Sequence, residues 1–195
     1  TAKLHETGEY DKVIALCTEV LEQNQECFEA YYRRGQAYLE MGQYDEAILD
    51  YTAAIKIDPQ PAFYNDRGYL YYMKDEVEAG IADYTKVIEM QPDFVEAYYF
   101  RGGLYYRKGE MDLAIADYTK VIEMEPDFAE AYLYRGKIYA TQEKYELALT
   151  DFTKAIEVDP KYEITYVDRG DIYCNMKEYD KALADYEKAL EVAPK

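Results

Sequence analysis

The chain has 195 residues, a formal net charge of −18, 49% hydrophobic and 32% charged residues. That much apolar side chain argues against disorder, and so acidic a surface repels the phosphates of DNA, RNA or anionic lipid, so the expected partners are neutral or basic. No apolar run approaches the roughly 18 residues a membrane span requires.

Four residue series recur in phase. Gly35, Gly68, Gly102, Gly136 and Gly170 are spaced by 33, 34, 34 and 34 residues, and Pro59, Pro92, Pro126, Pro160 and Pro194 keep the same rhythm. Tyr38, Tyr71, Tyr105, Tyr139 and Tyr173 form a third series, and Asp50, Asp83, Asp117, Asp151 and Asp185 a fourth. A fixed period of this length is the mark of a repeat architecture.

In chain order, residues 1–27 supply a truncated unit with Gln25 where later units have proline, and Thr1 falls inside a repeat, so the chain reads as cut from a longer one. Residues 28–60 form a unit one residue short, and 61–94 a unit with Gly80 in place of the usual alanine. Residues 95–128, 129–162 and 163–195 complete the array, expected to be one continuous domain.

The unit 95–128 shows what each repeat contains. Tyr98, Arg101, Gly102 and Tyr105 fall within one stripe of a helix, and Ala114, Ile115, Tyr118, Val121 and Ile122 make a second. Lys108-Gly109-Glu110 offers a turn between them, and Glu125-Pro126-Asp127 ends the second helix. Asp127 with Glu130 is expected to cap the next helix start. Short turns make the helices antiparallel, and since one pair cannot bury both stripes, neighbouring pairs must stack into a solenoid.

The pattern A-Y-x-x-R-G-x-x-Y at Ala97–Tyr105, then A-I-x-D-Y-x-x-x-I at Ala114–Ile122 and a closing proline, resembles the tetratricopeptide repeat (TPR) family over essentially the whole chain. The resemblance implies an all-α fold, an α-α superhelix (TPR solenoid) of antiparallel helix pairs whose first helices line a concave groove. It implies a non-catalytic protein–protein interaction scaffold without a cofactor.

Arg34, Arg67, Arg101, Arg135 and Arg169 recur on the packing stripe beside the aspartate series. An arginine there needs a partner, so these residues are expected to pair with Asp50, Asp83, Asp117, Asp151 and Asp185, within or between units, in a structural role.

Of 25 tyrosines, 18 occupy framework positions of the repeat. Among the remaining seven, Tyr32, Tyr69, Tyr72, Tyr99 and Tyr106 stand at positions 5, 9 or 12 of their units, opposite the packing stripe of the first helix. The face that the resemblance assigns to the groove is therefore rich in tyrosine, a side chain with a large apolar body and a polar tip. Gln36 and Asn65 are candidates to hydrogen-bond a peptide backbone, with Glu29, Glu40, Glu96 and Glu130 on the rim. The expected guest is a protein or peptide segment with apolar and basic residues. The alternative, tyrosine packing on tyrosine between adjacent first helices, is open at this point.

TPR chaperone adaptors grip a carboxylate with Lys, Asn and Arg on these helices, where this chain has Tyr32, Gln36, Asp66, Glu96 and Phe100. The asparagine ladder of the glycosyltransferase TPR superhelix is replaced by Arg33, Asp66, Phe100, Tyr134 and Asp168. A second function class is a structural assembly module that self-associates through solenoid ends, motivated by the apolar stripe of Leu183, Tyr186 and Leu190.

Catalysis lacks its usual groups. The sequence has one histidine, His5, and neither a phosphate-binding G-x-x-x-x-G-K-[ST] loop nor a G-x-S-x-G elbow. Cys17, Cys27 and Cys174 lack C-x-x-C spacing and read as free thiols, which favours a reducing, cytoplasm-like compartment, with no metal site expected.

Overall fold

The computed structural model describes residues 2–193, with side chains from residue 8 onward. These residues form eleven helices and no strand: α1 (Ala2–Gln23), α2 (Phe28–Glu40), α3 (Tyr44–Ile57), α4 (Pro61–Met73), α5 (Val77–Met90), α6 (Val95–Lys108), α7 (Met111–Met124), α8 (Ala129–Thr141), α9 (Tyr145–Val158), α10 (Glu163–Asn175) and α11 (Tyr179–Val192). The helices group into two units, Thr1–Phe100 and Arg101–Lys195.

Local chemistry sets the helix boundaries. Pro61 opens α4 at a position whose N–H would have no intrahelical acceptor. Each tight turn from a first to a second helix passes through one left-handed residue, and only Gly42 (φ 74°) and Gly109 (φ 83°) are glycines there. Asp75, Glu143 and Lys177 adopt the same geometry with φ near 60°. Asp127 does not cap α8: the N-cap is Phe128, and no side chain bonds the helix start. The Pro126-Asp127 turn leaves Asp127 one residue too early to reach the free N–H groups.

In the first unit, α1 packs on α2, α2 on α3, α3 on α4 and α4 on α5. Ala47, Tyr51 and Leu70 form a core in which Leu70 of α4 closes over the α2–α3 hairpin. In the second unit, Leu133, Ala148, Phe152 and Ile172 form the equivalent core, with Ile172 of α10 covering the α8–α9 hairpin. Each such side chain contributes about 1.5–3 kcal/mol by leaving water, and each core is shared by successive hairpins.

Close approach within a hairpin depends on its first-helix glycine. A Cβ at Gly136 would lie 2.8 Å from Cε1 of Phe152, and one at Gly35 2.8 Å from Cε1 of Tyr51. All three cysteines are free thiols, and among the described residues no helix is long and apolar enough to cross a membrane.

Candidate functional site

Each recurring arginine binds its aspartate within one hairpin, from first helix to second. Arg34 donates Nε and Nη2 to the two carboxylate oxygens of Asp50, both at 2.8 Å, and Arg101 meets Asp117 at the same distances. Arg67–Asp83, Arg135–Asp151 and Arg169–Asp185 repeat the fork at 2.7–2.8 Å. Arg34, Arg67, Arg135 and Arg169 also reach a threonine of the preceding helix, respectively Thr18, Thr52, Thr119 and Thr153. The pair therefore closes a hairpin, and the threonine bond stitches it to its neighbour. Burial pushes the Asp83 and Asp117 carboxyls above the usual range against the pull of the arginines. The carboxylate bonds hold Arg34, Arg135 and Arg169 above their ordinary value.

On the first-helix face of the first unit, the surplus tyrosines divide into two environments. Tyr32 of α2 is half-buried, with its ring 4.6 Å from that of Phe63 on α4. Its hydroxyl donates to Oδ2 of Asp66 at 3.0 Å. Burial, reinforced by the Asp66 charge, pushes the Tyr32 phenol up to about 12. This tyrosine joins two hairpins.

Tyr69, Tyr72 and Tyr99 instead surround Phe100, edge-on at centroid distances of 5.6, 5.2 and 5.3 Å. Phe100 itself lies parallel to buried Tyr84 at 5.6 Å. Tyr69 keeps 37% of its surface exposed, and Tyr72 and Tyr99 are half-buried. The result is a partly open aromatic patch fixed by its own central ring.

The polar candidates are engaged locally. Gln36 accepts a bond from Nη1 of Arg33 at 3.2 Å, and Asn65 donates to Oδ1 of Asp66 at 3.2 Å. Asp66 borders a cavity of about 320 Å³ lined also by Gln60, Asn65, Val87, Gln91 and Phe94. Burial raises its carboxyl above the ordinary range, and the bonds from Tyr32 and Asn65 only partly oppose that. Glu29, Glu40 and Glu96 are exposed.

In the second unit, Tyr106 lines a cleft of about 330 Å³ with Lys137, Phe152, Asp168 and Asp171. The Lys137 ammonium lies 3.1 Å from Oδ2 of Asp168. The Tyr186 hydroxyl donates to Asp171 at 2.7 Å, and Tyr134 stacks on Tyr118 at 5.9 Å. Glu130 is exposed.

Sequence reasoning passed over Asp66 and Phe100 as binding-face residues. Both stand at position 6 of their units, a variable first-helix position occupied in turn by Arg33, Asp66, Phe100, Tyr134 and Asp168. That variability inside an otherwise regular repeat was the available signal. Among the described residues, no three of His, Cys, Asp and Glu are placed to hold a metal ion, and the side chain of His5 lies outside the described set.

Comparison with known proteins agrees with this architecture. A tetratricopeptide repeat signature matches residues 28–61, 129–162 and 164–195, and two further TPR signatures match 102–143 and 65–122. A stretch of 57 residues is 42% identical to PASTICCINO1, a peptidyl-prolyl cis-trans isomerase of Arabidopsis thaliana, and spans 29% of this chain and 9% of that protein. The crystal structure of MamA superimposes with a TM-score of 0.79 at 25% identity, over 81% of this chain and 93% of MamA. YrrB, described as a TPR protein with an unusual peptide-binding site, superimposes with a TM-score of 0.76 at 21% identity, over 91% of this chain and 92% of YrrB.

Proposed function

This chain belongs to the tetratricopeptide repeat family, whose fold is a non-catalytic scaffold for protein–protein interaction, and on that premise we propose that it captures a peptide segment on its tyrosine-rich first-helix face. The observation that carries this reading is the patch of Tyr69, Tyr72 and Tyr99 around Phe100. Partly exposed aromatic rings held rigid by one another lose little entropy when a guest covers them. The net charge of −18 and the exposed Glu29, Glu40 and Glu96 favour a segment that combines apolar and basic residues. The peptide-binding description of YrrB is consistent with a peptide guest.

An array of immobilised ten-residue peptides that varies leucine, lysine and glutamate content tests the reading. The protein should retain leucine- and lysine-containing peptides over glutamate-containing ones. Replacing Tyr69 and Tyr72 by alanine should weaken that capture about ten-fold or more while helicity by circular dichroism is preserved. Equal capture by the variant would remove the aromatic face from consideration.

A second reading, self-association, rests on α11, where Tyr179, Leu183 and Leu190 are 63%, 58% and 80% exposed. It requires a concentration-dependent dimer in sedimentation equilibrium that Leu183→Glu abolishes. A monomer at every concentration excludes it.

A further inference from the structure

Among the described residues, the half-buried first-helix carboxylate of Asp66 has no positive partner. The five recurring aspartates each take two bonds from arginine, and Asp168 faces the Lys137 ammonium at 3.1 Å. Asp66 occupies the same repeat position as Asp168, yet its donors are the neutral Tyr32 hydroxyl and Asn65 amide. Where the second unit has Lys137, at position 9 of the preceding repeat, the first unit has Gln36. Among the described residues no ammonium or guanidinium lies within ion-pair distance of Asp66.

A half-buried carboxylate without a countercharge is costly, and this one opens into a cavity rather than into packed side chains. The lining suits a long basic side chain. Val87 and Phe94 offer apolar surface for a methylene stem, and Asn65 and Gln91 supply amide oxygens beside the carboxylate for its charged head.

We propose that the Asp66 cavity is the specificity pocket for a lysine or arginine side chain of the protein guest, which supplies the cation that Lys137 supplies to Asp168 in the second unit. The pocket rests on the reading of this face as the guest surface and names what that surface selects. Charge at Asp66, rather than apolar area, decides which segments are held.

The test titrates ¹⁵N-labelled protein with Nα-acetyl-lysine methylamide and follows the side-chain amide signals of Asn65 and Gln91. A saturable shift is expected with this probe. Binding about ten-fold weaker is expected for the uncharged Nα-acetyl-norleucine methylamide, and for the lysine probe with the Asp66→Asn variant. Gln36→Lys keeps Asp66 and builds the internal cation of the second unit, so it should block the probe as well. It serves as the deciding variant if Asp66→Asn fails to fold. No saturable shift with the lysine probe, equal binding of the norleucine probe, or undiminished binding to either folded variant would overturn the pocket. A lysine probe that fails while peptide capture still depends on Tyr69 and Tyr72 overturns the pocket alone and leaves the aromatic face standing.

Discussion

Nε and Nη2 of Arg67 on α4 clasp the two carboxylate oxygens of Asp83 on α5 at 2.8 and 2.7 Å, with both side chains largely withdrawn from water. The fork satisfies a charge that burial alone would make untenable, so the two residues act as one unit. Arg67→Ala strands the carboxylate and should cost about 3–5 kcal/mol in urea unfolding. Arg67→Lys should recover little, because an ammonium cannot reproduce the two-pronged geometry. The double variant Arg67→Met, Asp83→Leu should recover most of the loss, since it removes both charges together.

Tyr51 and Tyr84 are fully buried, and neither hydroxyl has a hydrogen-bond partner among the described residues. Phe152 fills the same repeat position without a hydroxyl. Tyr84→Phe is therefore expected to raise stability by about 1 kcal/mol. Tyr186 is the contrasting case, because its hydroxyl donates to Asp171 at 2.7 Å. Tyr186→Phe should lower stability. Thermal unfolding of the two variants side by side checks the difference in sign.

Lys177 turns the chain between α10 and α11 with φ at 63°. A side chain in the left-handed region costs roughly 1–2 kcal/mol, which glycine avoids while gaining some freedom in the unfolded chain. Lys177→Gly should therefore stabilise the protein by about 0.5–1 kcal/mol in denaturant titration. Gly109→Lys, the reverse change at φ 83°, should destabilise it.

Asp66 gives a pH dependence whose sign follows from its burial. Its folded-state carboxyl is raised above the ordinary value, so the fold holds the proton more tightly than the unfolded chain does. Asp66 thus supports the fold best below its unfolded value of about 3.9, and that support is lost as pH rises through its folded value. Asp66→Asn, neutral at every pH, should gain stability over the parent near neutrality. The gain should shrink steadily as both are acidified towards about pH 4. Unfolding free energies of the two proteins across that range, with Tyr32 and Asn65 unchanged, isolate the contribution. An advantage that grows on acidification would contradict the assignment.

The sequence alone determined the helical pairs, because amphipathic stripes, turn residues and helix stops are local signals that recur every 33 or 34 residues. It also set the arginine and aspartate series in a common register, and showed that no single pair could bury both its stripes. That register did not say whether an arginine would meet the aspartate of its own hairpin or of the next.

Tertiary packing decided that, and decided the fate of the surplus tyrosines. Tyr32 turned inward to Asp66, while Tyr69, Tyr72 and Tyr99 gathered on Phe100. Only the assembled hairpins revealed that Asp66 lacks the cation Asp168 has, and that Asp75, Glu143 and Lys177 take a backbone geometry the sequence reserves for glycine. The physical reason is common to these cases. Each depends on which side chain stands opposite across a junction, or on strain that the surrounding helices impose, and neither leaves a periodic trace in the sequence.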